Sequence, residues 1–276
     1  MHVNHFHCYH PGVPKRIPGS FFVRNLIERR SLLLQLVRRD FHQRYVGSAA
    51  GWLWGVIDPL VLLGSYYFVF GVCLSNPTPN YPLVLVSGML PWLLFSDTVT
   101  RSSSSLVEQA NLITKTVFPA EIVPLAIFLS CLLNHLIAVS LVLVGTGIYL
   151  RHLNPALLLL PAFMFLLGLF AVGIGWITSS LQVYLRDSAR VLNVALTFWL
   201  WVTPIFIRED QFPRKVRFLI AANPLAYIVR PYREMLMGRQ MPSWHDFGVA
   251  ALFCGGTFFV GGMFFRYMKR GFADVL

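Results

Sequence analysis

Charged residues are so sparse along this chain that the uncharged stretches between them predict its architecture. Two apolar blocks, 49–74 and 83–96, are separated by the turn-forming run Ser75-Asn76-Pro77-Thr78-Pro79-Asn80. Glu121 and Arg151 enclose an apolar run over 122–150, and Arg151 and Arg186 enclose another that opens at Asn154-Pro155. Two more cover 191–207 and 247–265. A helix crossing the roughly 30 Å hydrocarbon layer needs about 20 residues. The pattern therefore predicts an all-α integral membrane fold with six transmembrane helices, at about 49–74, 83–100, 122–150, 156–181, 191–207 and 247–265. The second reaches spanning length only by taking in Asp97. A break is expected there at Pro91, because proline removes a helix hydrogen bond.

Two segments outside the spans carry their own patterns. Over 22–42, Arg24, Glu28, Ser31, Gln35, Arg38 and His42 recur at steps of three and four, opposite Phe22, Leu26, Leu33, Val37 and Phe41. That is an amphipathic helix, expected to lie in the membrane interface with Arg29 and Arg30 snorkelling. Between spans five and six, the uncharged stretch 218–229 is too short to cross and holds Asn223-Pro224 at its middle. Its length suits a re-entrant or interfacial segment, flanked by Arg214, Lys215 and Arg217 on one side and Arg230 and Arg233 on the other. The expected organisation is an N-terminal extension (1–20), an interface helix (21–46), a transmembrane domain (49–267) and a short tail (268–276).

Composition narrows the class. The chain is 56% hydrophobic and only 13% charged, against about a quarter charged in an ordinary soluble domain. Mean hydropathy is +0.61. Neither a single water-soluble core nor a disordered chain fits. The net charge of +11 is clustered, which in a membrane protein points to topology and lipid headgroups rather than to nucleic acid. Basic residues crowd the N-terminal segment, the loop with Arg101 and Lys115, the loop with Arg186 and Arg190, and the tail with Arg266, Lys269 and Arg270. The positive-inside rule then places both termini in the cytoplasm. The basic loop 208–246 runs against the rule, which suggests a structured element. Cys8, Cys73, Cys131 and Cys254 are far apart and read as small apolar residues. No cleavable signal peptide is expected, because the basic N-terminal region is interrupted by Pro11, Pro14 and Pro18.

Several chemistries lack their motifs. Lys15, Lys115, Lys215 and Lys269 all lack the glycine pattern of a phosphate-binding loop. The chain is therefore not expected to bind or hydrolyse ATP itself, and no cofactor is assigned to it. The absence of HExxH, GxSxG and a metal-spaced His cluster in the spans argues against an intramembrane protease or lipase. Glu209-Asp210, the adjacent acidic pair, falls on the predicted outer side, away from nucleotide-sugar donors. His2, His5, His7 and His10 are read as a terminal extension rather than a metal site.

Four stretches together resemble one family. RRDFHQRYVGSAAGWLWGVIDPL (38–60), FPAEIVPL (118–125), VYLRDSARVL (183–192) and NPLAYIVRPYREML (223–236) occur in the order found in ABC-2 type permeases that export bacterial polysaccharides. The O-antigen, capsule and teichoic acid branches look alike at this level. The resemblance implies a permease subunit of an ATP-driven exporter of a lipid-linked polysaccharide, in the bacterial inner membrane. It implies a homodimer paired with two copies of a separate ATP-binding subunit, which holds ATP and magnesium. It also implies re-entrant helices between spans five and six, matching 218–229, and that 108–121 is the coupling element, with Glu108, Lys115 and Glu121 as candidate contacts to the ATPase. An ABC-2 exporter of small lipophilic compounds and a membrane-embedded glycan-processing enzyme are the competing readings.

A sugar polymer crossing a bilayer needs a passage that replaces water without gripping. Aromatic faces stack on sugar rings and offer few strong hydrogen bonds. Trp52, Trp54, Tyr66, Tyr67 and Phe70 on span one, and Phe198, Trp199 and Trp201 on span five, are candidates to line it. Interfacial belts and simple packing are the competing roles for such residues. Asp58, a carboxylate inside span one, is a further channel candidate, since intramembrane acids tend to face protein or water. Arg230 and Arg233, three apart, would share a helix face and suit a lipid phosphate on the outer side. An ion pair with Glu234 or headgroup anchoring is the alternative.

Overall fold

The computed structural model describes residues 30–45, 47, 51–74, 78–115, 118–151, 154–237 and 241–275. The extension 1–20, the first turns of the predicted interface helix and the side chains of Trp52 and Lys115 lie outside that set. Among the described residues the chain is helical, with no strand.

The elements are α1 (Arg30–Tyr45), α2 (Trp54–Tyr66), α3 (Tyr81–Glu108), α4 (Ala110–Lys115), α5 (Ile122–Leu150), α6 (Leu160–Tyr184), α7 (Ser188–Val202), α8 (Arg217–Ala221), α9 (Ala226–Met237), α10 (Trp244–Met268) and α11 (Phe272–Val275). A wider π-helical segment, Tyr67–Cys73, continues α2. Five helical stretches are long and apolar enough to cross a membrane: Trp54–Cys73, Tyr81–Glu108, Ile122–Ile148, Pro155–Tyr184 and Trp244–Gly271. The fold is all-α and membrane-embedding.

The remaining predicted span, 191–207, is a 15-residue helix, shorter than the others. It stops at Thr203, whose extended backbone (φ −81°, ψ 133°) precedes Pro204. A proline disfavours helical geometry in the residue before it. Residues Thr203 to Phe206 are then buried as an irregular segment.

Helix α3 also departs from expectation. It runs unbroken for 28 residues through Pro91, which is itself buried between neighbouring helices. Neighbours that hold a proline-bearing helix on both sides keep it continuous. The helix also continues past Asp97 and Arg101, because α1 supplies each with a counter-ion: Arg44 pairs with Asp97, and Asp40 accepts from Arg101 at 2.5 Å.

The core forms around α3 and α6. Phe95 and Phe170 stack with ring centres 5.2 Å apart, and Leu85, Met89, Leu106, Phe163, Leu167 and Trp176 are fully buried. Helix α10 reaches this core through glycine. A Cβ on Gly261 would lie 2.3 Å from the carbonyl oxygen of Gly173, and one on Gly173 would lie 2.7 Å from that of Thr257. Small residues permit such backbone approach between membrane helices. By contrast, no residue of α2 or its continuation is buried, and α7 buries only Leu196. Spans one and five are therefore peripheral in a single chain.

Candidate functional site

At one end of the bundle, α1, α4 and the C-terminal turn converge. Helix α1 packs through Leu36, with Leu32, Leu33 and Val37 beside it, onto Ile122 and Ala126 of α5. Ser31, Gln35, Arg38 and His42 stay exposed on its far side. Leu36 stood in neither stripe read from the sequence, because the docked face is centred one residue before Val37. The charged pairs to α3 lie on that face, and Cys131 of α5 sits among them, its Sγ donating to Asp97 at 3.2 Å and accepting from Arg101 at 3.4 Å.

The three candidate coupling residues are placed differently. Glu108 ends α3 and accepts from Ser104 at 2.6 Å, while Lys115 ends α4. Glu121, just before α5, accepts from Lys269 at 2.6 Å, and its carbonyl accepts from the Trp176 indole at 3.0 Å. Tyr184 donates to the carbonyl of Met268 at 2.9 Å. Phe272 is buried against Tyr184 and Phe265, so α11 is folded back onto the bundle and touches α4.

Toward the other end of α3, helices α8 and α9 follow one another across a turn at Asn223-Pro224, the α8–α9 hairpin. Asn223 is buried and acts as its knot. Its Oδ1 accepts from the Trp199 indole at 2.9 Å and from the amide of Leu225 at 3.1 Å, and its Nδ2 donates to Thr203 at 3.0 Å. One side chain thus ties the hairpin to the end of α7.

Arg230 and Arg233 diverge from α9. Arg230 donates to both oxygens of Glu209, at 3.0 and 2.7 Å, and to Asp246 at 2.6 Å. It also lies over the Tyr227 ring. Burial works against its charge, but the hydrogen bonds it donates to Glu209 and Asp246 outweigh it and hold the guanidinium above its ordinary range. Arg233 instead turns toward α3 and α7, donating to the carbonyls of Pro204 and Ile205 at 2.8 and 3.2 Å. Glu234 is the partner of neither; burial pushes its carboxyl above the usual carboxylate range. Their three-residue spacing thus does not make a shared open face.

The aromatic candidates split into three groups. Tyr66, Phe70 and Trp201 gather around Phe206, with ring centres 4.7, 5.2 and 4.9 Å from it. Trp199 turns inward, against Phe95 at 5.3 Å. Tyr67 and Phe198 are exposed on the bundle's outer surface, whereas Trp54, also exposed, borders a cavity behind α2. Asp58 is exposed to the same cavity, lined also by α3 and α5. Phe206 was not singled out in the sequence, where it looked like one more apolar residue near a span end. Among the described residues no group of His, Cys, Asp or Glu is placed to hold a metal ion.

Comparison with known proteins decides the family. The model of the ABC-2 type transporter family matches residues 31–237, which covers α1 through α9. The chain belongs to the ABC-2 type transporter family. This ABC-2 chain is 30% identical over 250 residues to the O-antigen export system permease protein RfbA of Klebsiella pneumoniae, covering 89% of this chain and 95% of that protein. It is 28% identical over 224 residues to the protein of the same description from Myxococcus xanthus, covering 80% of this chain and 85% of that one. It is 24% identical over 240 residues to the polysialic acid transport protein KpsM of Escherichia coli, covering 84% and 91%. The family match begins within α1, so the docked helix is part of the ABC-2 domain rather than an appendage.

Proposed function

We propose that this chain is the permease subunit of an ABC exporter that moves a polysaccharide across the bacterial cytoplasmic membrane. The observation that carries this reading is the nearly end-to-end match, 89% of this chain against 95% of the Klebsiella relative, to an O-antigen export permease. With no phosphate-binding loop in the sequence, ATP hydrolysis falls to a separate subunit. The chain is not an enzyme.

The finer arrangement follows the same reading. Two copies of the permease pair with two ATP-binding subunits, both termini lie in the cytoplasm, and the substrate arrives on a lipid carrier. Helix α7 is the fifth of six spans and the shortest, and the α8–α9 hairpin is re-entrant from the outer side. The exposure of α2 and α7 supports a passage built between two copies. Both helices carry aromatic side chains toward the outside of a single chain, where a partner copy would enclose them. Tyr67, Phe198 and Trp201 are then the lining residues, while Trp199 is a packing residue and Trp54 faces the cavity behind α2. Arg230 and Arg233 serve first as anchors of the hairpin. Glu108, Lys115 and the end of α3 face the ATPase.

Purification tests the division of labour. The isolated chain should show no ATP hydrolysis and should copurify with an ATP-binding partner. Charge reversal at Glu108 and Lys115 should weaken that association. Robust hydrolysis by the chain alone would overturn the reading.

A further inference from the structure

A cavity of about 710 Å³, open on one side, lies behind α2, bordered by α2, α3, α5 and the end of α1. Its volume is that of a small-molecule site. Its polarity is strongly directional. Arg44, Asp58, Ser96, Asp97, Thr100 and Asn134 line the end beside α1. Leu63, Leu90, Leu93 and Leu141 dominate the rest, where His135 has its Nε2 engaged by the Tyr232 hydroxyl at 3.2 Å. Along α3 the lining runs from Thr100 to Leu90, which at 1.5 Å per residue is about 15 Å. That is about half of the roughly 30 Å hydrocarbon thickness, the depth of one leaflet.

Charge selects the headgroup. The Arg44–Asp97 pair is internally neutral. Asp58 adds a carboxylate that makes no hydrogen bond or ion pair with any described residue. An exposed acid at membrane depth is unfavourable unless it meets water or a cation. A guest that brings an ammonium to Asp58 and a hydrocarbon chain to the leucines complements both ends of the slot.

We propose that this slot binds one aminophospholipid of the phosphatidylethanolamine type, its amine on Asp58 and one acyl chain along Leu63, Leu90, Leu93 and Leu141. The lipid wedges α2 against α3 and α5, which supply a single chain with few other contacts to α2. Asp58 thereby acts behind span one, apart from any passage in front of it. The site does not depend on the identity of the exported polymer.

The test is lipid retention by the permease–ATPase complex purified in mild detergent, with bound phosphatidylethanolamine and phosphatidylglycerol quantified by mass spectrometry. The wild type should retain phosphatidylethanolamine in preference to phosphatidylglycerol. Asp58→Asn, nearly isosteric, should lower the retained phosphatidylethanolamine several-fold and abolish the preference. Leu93→Trp should exclude both lipids by filling the slot. Equal retention by Asp58→Asn and wild type would overturn the proposal. So would a wild type that retains no lipid, or one that retains an anionic lipid instead, whether phosphatidylglycerol or the carrier of the substrate. Should Leu93→Trp fail to fold, the Asp58→Asn comparison decides alone. Loss of polysaccharide export with lipid retention intact would bear on the transport reading and not on this site.

Discussion

Lys269, on the turn after α10, holds Glu121 at the entrance to α5, with Nζ 2.6 Å from Oε2 across 148 residues of sequence. Together with the Tyr184–Met268 bond and buried Phe272, this clasp brings the C-terminus under α4, the short helix of the proposed coupling loop.

Lys269→Glu should loosen α4 and reduce export, while adding Glu121→Lys should restore it in part. The pair is partly exposed, so its own contribution to stability is small, about 1 kcal/mol or less. The effect should therefore show in ATPase coupling, measured as stimulation of the partner's hydrolysis, more than in the melting temperature. No change in coupling on breaking the clasp would contradict this role.

The two pairs that join α1 to α3 are partly exposed like the clasp, but they share the thiol of buried Cys131 and tie one helix to another. Removing one partner of such a partly exposed pair costs less than breaking a buried one, about 1–2 kcal/mol. Arg101→Ala should lower the thermal midpoint of the purified protein measurably. Asp40→Arg combined with Arg101→Asp should recover much of the loss. An unaltered midpoint for Arg101→Ala would show that α1 is held by Leu36 and its neighbours alone.

Asn223→Leu should destabilise the α8–α9 hairpin by about 2 kcal/mol, since it strands the Trp199 and Thr203 partners. Thr203→Val, which removes one of these bonds, should cost less. A double-mutant cycle of Asn223 with Thr203 should give a coupling energy clearly different from zero; additive losses would exclude the knot.

Much of this was legible in the sequence, and the reason is physical. Spans announce themselves through length and lack of charge, because the bilayer penalises exposed polar groups over a fixed thickness. The break at Asn223-Pro224 was visible for similar local reasons. What joined the spans was not. Arg44 finds Asp97 across 53 residues and Arg101 finds Asp40 across 61, so no local pattern links them. Asp97 looked instead like the edge of a weak span. The contact of Gly173 with Gly261 depends on two backbones meeting, and neither glycine marks its partner. Arg230 and Arg233 shared a face by spacing, yet their partners lie on separate segments, so the two side chains part.

Topology is open to direct labelling in a cysteine-free background. Val275 is half exposed and Gln211 is exposed. Val275→Cys should react only from the cytoplasm and Gln211→Cys only from outside. Gly271 is a poor site for such a probe, because a Cβ there would lie 2.5 Å from the Tyr184 hydroxyl. Labelling of Gln211→Cys from the cytoplasm would mean that α7 does not cross.

The most direct test of the transport reading is to remove this chain from a polysaccharide-producing cell and locate the polymer. The account predicts that lipid-linked polymer accumulates on the cytoplasmic side, that the surface loses it, and that restoring the chain restores export. Undiminished polymer at the surface in its absence would contradict the account.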